Sequence, residues 1–327
     1  KMPASNEPLI VGIEGSFDLT SFHGHNKDFI PDLPNFKLVK NLNDPLVQSA
    51  DGFMQTNIYK NHLIEYKDQF DFIKESNKPF LVYESPVFRS GTSAVQELNP
   101  LYMQRVGWNH FMRQGIFCNE NSPPDRFEKI KKDQNIKILP WEAKGDYILF
   151  ILQKPNDSSL EQVHKVWGNT TTGYWDYVVD CLTHIRMHTD MPIILRGHPK
   201  ARKSRSIAEG IANSNAIPNV THTVNYETNT IANGGKGLQK DFDNAWAVVG
   251  TTSNTLIESA CLGIPTFALD DTAMCWPVSQ PNLSYIDNPK LDIPREQWLY
   301  DLAYTQYYYH EHQLGVAWNR LKPYYFS

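Results

Sequence analysis

The sequence predicts an α/β protein of two Rossmann-like lobes facing a central cleft. Three observations lead there. The chain has 327 residues, too many for one compact core and enough for two domains. Through residues 1–145 short apolar runs alternate with helical patterns, as in a parallel sheet with crossover helices. At Tyr147-Ile148-Leu149-Phe150-Ile151-Leu152, the most strand-like run in the protein, the alternation starts again. The expected lobes are therefore 1–145 and 146–309.

In order along the first lobe, Leu9-Ile10-Val11-Gly12-Ile13 reads as a buried first strand, and Glu14-Gly15-Ser16-Phe17-Asp18 as its exit loop. Polar loops at the C-terminal ends of parallel strands are where open α/β sheets bind ligands. Asp51 to Thr56 reads as another strand and its exit. From His62 to Ser76 the residues Leu63, Tyr66, Phe70 and Ile73 share one face at steps of three and four, which predicts a helix stopped by Pro79. Phe80-Leu81-Val82-Tyr83 is the next strand and leads into Glu84-Ser85-Pro86. Ser122 as a cap and Pro123 in the first turn predict a further helix start. In the second lobe a helix is expected from Trp175 to His188, with Val178, Val179, Leu182 and Ile185 inward. Strands follow at Pro192–Leu195, Ala245–Val249 and Ile264–Leu269, with a helix from Leu256 to Leu262. Asn225 to Gly237 is polar and glycine-bearing and reads as a loop. Asp292 to Gln306 reads as an amphipathic helix opened by Pro294.

Composition narrows the function. With 41% hydrophobic and 20% charged residues, the chain has the make-up of a soluble globular protein. No apolar run approaches the ~20 residues of a bilayer span, and the first residues hold no apolar leader core. A cytoplasmic protein without membrane contact is expected. Cys118, Cys181, Cys261 and Cys275 make no Cys-x-x-Cys pair and fit no zinc spacing, so buried free thiols and no metal are expected. The net charge of -5 argues against indiscriminate nucleic-acid coating but leaves room for basic faces at Lys129–Lys132 and Lys200–Arg205.

The densest chemistry lies at Gly250-Thr251-Thr252-Ser253-Asn254-Thr255, between a strand and a helix. There Gly250 would let the chain turn, while the hydroxyls and the free N–H groups of the helix start would form an anion site. Glu258, further along that helix, is placed to accept hydrogen bonds from a ribose diol. A capped helix with a surface glutamate explains the same residues. The loop lacks the Gly-Lys-Ser/Thr of a Walker loop and the glycine spacing of a dinucleotide fingerprint. Arg196-Gly197-His198-Pro199-Lys200 leaves another strand. Arg196 suits bidentate phosphate binding and Lys200 adds a point charge, although a plain basic turn would look alike. Gln153 and Lys154 leave the Tyr147 strand as donors for base or phosphate oxygens. In the first lobe Glu84, Asp18 and Glu14 stand at strand exits as candidate general bases, with His23 and His25 behind them. Arg89 is close enough in sequence to orient Glu84.

These residues resemble a known family. Arg-x-His-Pro-Lys after a strand, and Ser253-Asn254-Thr255-Leu256-Ile257-Glu258-Ser259-Ala260 followed by Gly263-Ile264-Pro265, resemble the donor motifs of capsular-polysaccharide and Kdo-type glycosyltransferases of the two-Rossmann GT-B type. Tyr83-Glu84, Arg89-Ser90-Gly91, Gly107-Trp108-Asn109 and Asn121-Ser122-Pro123, with the tail from Arg295 to Gln306, are similar to phage-encoded proteins that glycosylate hydroxymethylpyrimidines in DNA. The resemblance implies that Arg196, His198 and Lys200 face a donor diphosphate. It also implies that Thr252, Ser253 and Asn254 bind phosphate and Glu258 the ribose, with Gln153 and Lys154 beside them. Glu84, Arg89, Trp108 and Asn109 would face the acceptor, and residues 310–327 would return to the first lobe. It further implies a glucosyl or pentosyl (arabinosyl) transfer from a UDP-sugar donor substrate, with no other cofactor required, to a 5-hydroxymethylated pyrimidine in DNA in the host cytoplasm. Gly197 departs from the family's usual residue before the histidine. Three other readings stay open: a capsule or surface-glycan transferase, a nucleotide-sugar epimerase, and a non-catalytic nucleotide- or DNA-binding module.

Overall fold

The computed structural model describes residues 7–17, 33–56, 66–88, 101–226 and 235–327. Its contacts divide the chain into two compact units. One comprises Lys1–Arg89, Ser93–Lys129 and Tyr300–Ser327, the other Ser90–Thr92 and Ile130–Leu299. Both are mixed α/β with sheets rich in parallel strands.

The first unit holds β1 (Ile10–Ile13), β2 (Phe36–Val39), β3 (Gly52–Thr56), β4 (Phe80–Glu84) and β5 (Met103–Trp108). β1 lies between β2 and β3, parallel to both, and β4 follows β3 in parallel. Ile10, Val11 and Ile13 are wholly buried, which is why this strand reads as an unbroken apolar run rather than an alternating one. The Thr56 amide donates to Ser16 O at 3.0 Å and so ties the exits of β1 and β3 together. The helix expected over 62–76 is Lys67–Glu75; residues 57–65 lie outside the described residues. Asp18, His23, His25 and Arg89 also lie outside them.

Strand alternation predicts a wholly parallel sheet here, and β5 breaks that pattern. It runs antiparallel to β4, with Leu81 opposite Trp108 and Glu84 opposite Arg105. The helix expected from Ser122 starts at Asp125; the Ser122 amide donates to Asp301 Oδ1 at 2.8 Å and its hydroxyl to Asn119 O at 2.7 Å, which hold it in the turn before the helix.

The second unit holds β6 (Tyr147–Ile151), β7 (Ile193–Arg196), β8 (Val220–His222), β9 (Ala245–Gly250) and β10 (Thr266–Ala268). All five are parallel, in the order β8-β7-β6-β9-β10. Ile148, Phe150 and Leu152 pack with Val178, Leu182 and Ile185 of the Thr171–Arg186 helix. That helix begins four residues before Trp175, because Thr170 caps it by accepting the Gly173 amide at 3.0 Å. A helix at Gly235–Phe242 occupies the end of the expected loop, whose residues 227–234 lie outside the described residues.

The tail departs most from its sequence pattern. The expected Asp292–Gln306 helix spans Glu296–Ala303, and Gln306–Tyr308 forms β11, antiparallel to β5 at the edge of the first unit's sheet. Gln306 decides this change. Its Oε1 accepts the amides of Val87 and Phe88 at 2.9 and 3.0 Å, and its Nε2 donates to Phe88 O at 3.0 Å. The segment is then fastened by an ion pair. Arg126 reaches both Glu311 oxygens at 2.8 and 2.7 Å, and its guanidinium packs on the rings of Tyr304 and Tyr307. Burial opposes ionisation of Glu311, but the hydrogen bonds and charge of Arg126 outweigh it and hold the carboxyl below its ordinary value of 4.5. A group lowered in the fold stabilises fully above its unfolded value, and that stability is lost as pH falls through the folded value. Glu311→Gln is therefore expected to cost about 2–3 kcal/mol at pH 7. In urea melts its difference from wild type should shrink as pH drops below 4.5.

Candidate functional site

In the second sheet the chain moves one way from β6, to β7 and β8, and the other way from β9, to β10. Crossovers of opposite direction leave a crevice at the C-terminal ends of the two strands where the order reverses. The residues leaving β6 and β9 are Gln153-Lys154 and Thr251-Thr252-Ser253-Asn254, so two of the segments expected to bind a donor meet at this point.

One hydrogen-bond network forms its floor. Gln153 Oε1 accepts the Thr252 amide at 2.9 Å, while Gln153 Nε2 donates to Thr252 Oγ1 at 3.0 Å and Ser159 Oγ at 2.8 Å. The Thr252 hydroxyl donates to Ser159 Oγ at 2.9 Å, and the Ser159 hydroxyl donates to Asp157 Oδ1 at 2.8 Å. Below this, Tyr174 accepts the Gln153 amide at 2.7 Å, and the Tyr177 hydroxyl meets Thr251 Oγ1 at 2.9 Å. Burial raises both phenols well above their ordinary value, so they stay neutral. Sequence reading missed these two tyrosines. Their spacing on a buried helix face was the available signal, since a buried phenol needs a partner.

Gln153 and Thr252 are buried and spend their polar atoms on one another, so they shape the crevice instead of reaching into it. The helix start is also largely satisfied internally. The Thr255 amide goes to Ser253 Oγ, that of Leu256 to Ser253 O and that of Ile257 to Asn254 O. Lys154 is exposed beside this network, and Ser253, Asn254 and Glu258 are half-buried. Gly250 makes no turn; it ends β9, where a Cβ would lie 3.2 Å from Leu256 Cδ2. Its missing side chain lets the following helix pack closely.

The β7 exit stands beside this crevice. Arg196, expected to bind phosphate, is 3% exposed and ion-paired with Asp241, also 3% exposed. Its Nη1 donates to Asn225 O at 2.7 Å as well, so its charge is already countered inside the unit. Gly197 has a clear reason: a Cβ there would lie 2.6 Å from Arg205 Cα and force the Arg202–Ser214 helix away. His198 is half-buried, and its Nδ1 accepts the Lys200 amide at 3.2 Å; the Lys200 side chain is exposed.

In the first unit Glu84 ends β4, half-buried, its Oε1 accepting the Ser85 amide at 2.7 Å. Glu14 is exposed at the exit of β1. Trp108 and Asn109 do not join them. Because β5 is antiparallel, they sit at the Phe80 end of β4, roughly 13 Å of strand from Glu84. Trp108 is 0% exposed and donates to Leu321 O at 2.8 Å, and Asn109 donates to Tyr325 Oη at 2.6 Å. They serve packing of the tail. Among the described residues no group of three His, Cys, Asp or Glu is placed to hold a metal, and no helix is long and apolar enough to cross a membrane.

No family model matches the chain, and no curated protein matches it in sequence. Two solved structures from Thermosulfurimonas dismutans are similar to it in three dimensions. One is KpsC, beta Kdo 2,4 transferase, with a TM-score of 0.49 and 14% identity over 93% of this chain and 93% of that one. The other is KpsC, beta Kdo 2,7 transferase, with a TM-score of 0.47 and 11% identity over 90% and 89%.

Floor and exposed residues should separate experimentally. Gln153→Leu strands the Thr252 amide and is expected to cost about 3 kcal/mol in urea unfolding. Lys154→Ala should stay within about 0.5 kcal/mol of wild type.

Proposed function

We propose that the chain is a nucleotide-sugar-dependent glycosyltransferase, moving a glucosyl or pentosyl group from a UDP-sugar to an acceptor hydroxyl without a further cofactor. The observation that supports this best is the reversal of strand order between β6 and β9, with the Gln153–Thr252 floor beneath Lys154, Ser253 and Asn254. In this reading Lys154, His198 and Lys200 counter the charge that grows on the departing diphosphate. Ser253 and Asn254 hydrogen-bond its oxygens, and Glu258 holds the ribose diol. Thr252, Gln153 and Arg196 keep the walls in place. Glu84 takes the proton of the acceptor hydroxyl as its oxygen bonds to the sugar and the nucleotide leaves, with Glu14 and Asp18 the alternative carboxylates.

For the acceptor we favour a 5-hydroxymethylated pyrimidine in DNA, as the sequence resemblance implies. Exposed Lys200, Arg202 and Lys203, with no acid in the first turn of their helix, would meet phosphates, and the target base would have to leave its stack. Labelled UDP-glucose or UDP-arabinose offered with hydroxymethylated DNA, unmodified DNA or an oligosaccharide tests this directly. Label should appear only on the hydroxymethylated DNA. Label on the oligosaccharide alone would make the protein a glycan transferase, and return of an epimer without acceptor would make it an epimerase. Absence of both binding and turnover would end the transferase reading.

Two substitutions apportion the roles. Glu258→Ala should raise the donor KM about tenfold with little change in acceptor KM. Glu84→Ala should lower kcat by about a hundredfold or more with donor binding retained.

A further inference from the structure

Asp241, in the Gly235–Phe242 helix, is a buried acid to which the reading above gives no role. Its Oδ2 takes Arg196 Nη1. Its Oδ1 accepts Thr223 Oγ1 at 2.9 Å and Asn225 Nδ2 at 2.7 Å. Arg196 closes the circuit by donating to Asn225 O at 2.7 Å, and the Asn225 amide donates to Thr223 Oγ1 at 3.0 Å. One carboxylate therefore fixes both the end of β7 and the segment that leaves β8.

The consequence appears one residue further on. The Tyr226 ring has the Arg196 and Arg205 guanidinium carbons 5.5 and 5.6 Å from its centroid, and its hydroxyl accepts the Gly197 amide at 3.1 Å. From the other side the Arg202–Ser214 helix holds the same loop: the His198 amide donates to Ser204 Oγ at 2.8 Å, and Arg205 donates to Pro199 O. The Tyr226 side of this grip depends on Asn225 and Arg196, and both depend on Asp241.

We propose that Asp241 is the positioning residue of the loop Gly197–Lys200, acting through Arg196 and through residues 223–226. A buried ion pair is costly to desolvate and returns little net stability, so what Asp241 contributes here is its hold on Arg196, Thr223 and Asn225 at once. Without the Asp241 charge, Arg196 is a buried cation that must seek solvent or another anion. Asn225 and Tyr226 then lose their anchor, and Gly197 loses the acceptor of its amide.

The test uses Asp241→Asn and the double variant Asp241→Asn/Arg196→Met in the full chain, read by amide hydrogen exchange, thermal midpoint and donor kinetics. In Asp241→Asn, exchange at Gly197 should accelerate at least tenfold, while the His198 amide, held by Ser204, and the Thr252 amide, held by Gln153, keep rates near wild type. Donor KM should rise at least tenfold, and kcat should fall as well, because His198 and Lys200 act on charge that grows as the diphosphate leaves. The double variant, freed of an unpaired charge, should recover the thermal midpoint but neither the slow exchange nor the donor KM. Wild-type exchange at Gly197 in Asp241→Asn overturns the proposal. So does a double variant that restores slow exchange together with the midpoint, since Asp241 would then serve stability alone. Should Asp241→Asn fail to fold, the double variant carries the measurement. The KM arm rests on the glycosyltransferase reading; if the wild-type protein turns over no nucleotide sugar, that reading falls and the exchange arm still decides the role of Asp241.

Discussion

The second unit depends on one side-chain amide. Parallel strands next to each other in a sheet are held along their length, but their exits are free to diverge as the chain leaves in opposite directions. Gln153 spans that gap: it gives one atom to the Thr252 amide and the other to two hydroxyls. A primary amide can accept and donate at the same place, so it can replace the ladder bond that the diverging backbones no longer make. Each partner is itself satisfied, through Ser159 to Asp157 and through Tyr174 and Tyr177 to the helix behind. Such a network is rigid because any one member moving would strand another in a dry interior.

With the floor fixed, the neighbouring exit can be built from charge. Arg196 and Asp241 form a buried pair whose role is geometric, and the short reach between Gly197 and Arg205 lets a helix begin against the loop they hold. Around these exits Lys154 and Lys200 are exposed, and His198, Ser253, Asn254 and Glu258 are half-buried. Buried residues that shape the strand exits and more exposed neighbours thus alternate in the sequence. In the first unit the antiparallel β5 produces a similar separation. It carries Trp108 and Asn109 to the far end of β4, where they anchor the tail, and leaves Glu84 at the end where parallel strands present their loops.

Much of this was legible beforehand because burial is written in periodicity. Runs such as Ile10–Ile13 and Tyr147–Ile151 are apolar on both faces, a pattern that strands covered on both sides require, and the loops after them followed from that. The tail was misread for the opposite reason. The pattern carries a helix as far as Gln306, yet Gln306–Tyr308 forms a strand, because β5 offers an open edge and the Val87–Phe88 backbone offers partners to Gln306. Ser122 likewise has the chemistry of a cap, but its hydroxyl donates to Asn119 O and accepts from Arg320, distant in sequence, and the helix after it begins at Asp125.

The sequence by itself determined the strands β1, β3, β4, β6, β7, β9 and β10, and the polar loops at their exits. Those properties depend on a residue and its neighbours within a few positions. Only the tertiary structure decided the use of each polar group, because a hydrogen bond formed with a distant segment removes a side chain from the set that can meet a ligand. Arg196, Gln153 and Thr252 all have phosphate-binding chemistry, and Asp241, Ser159 and the partners beside them engage all three.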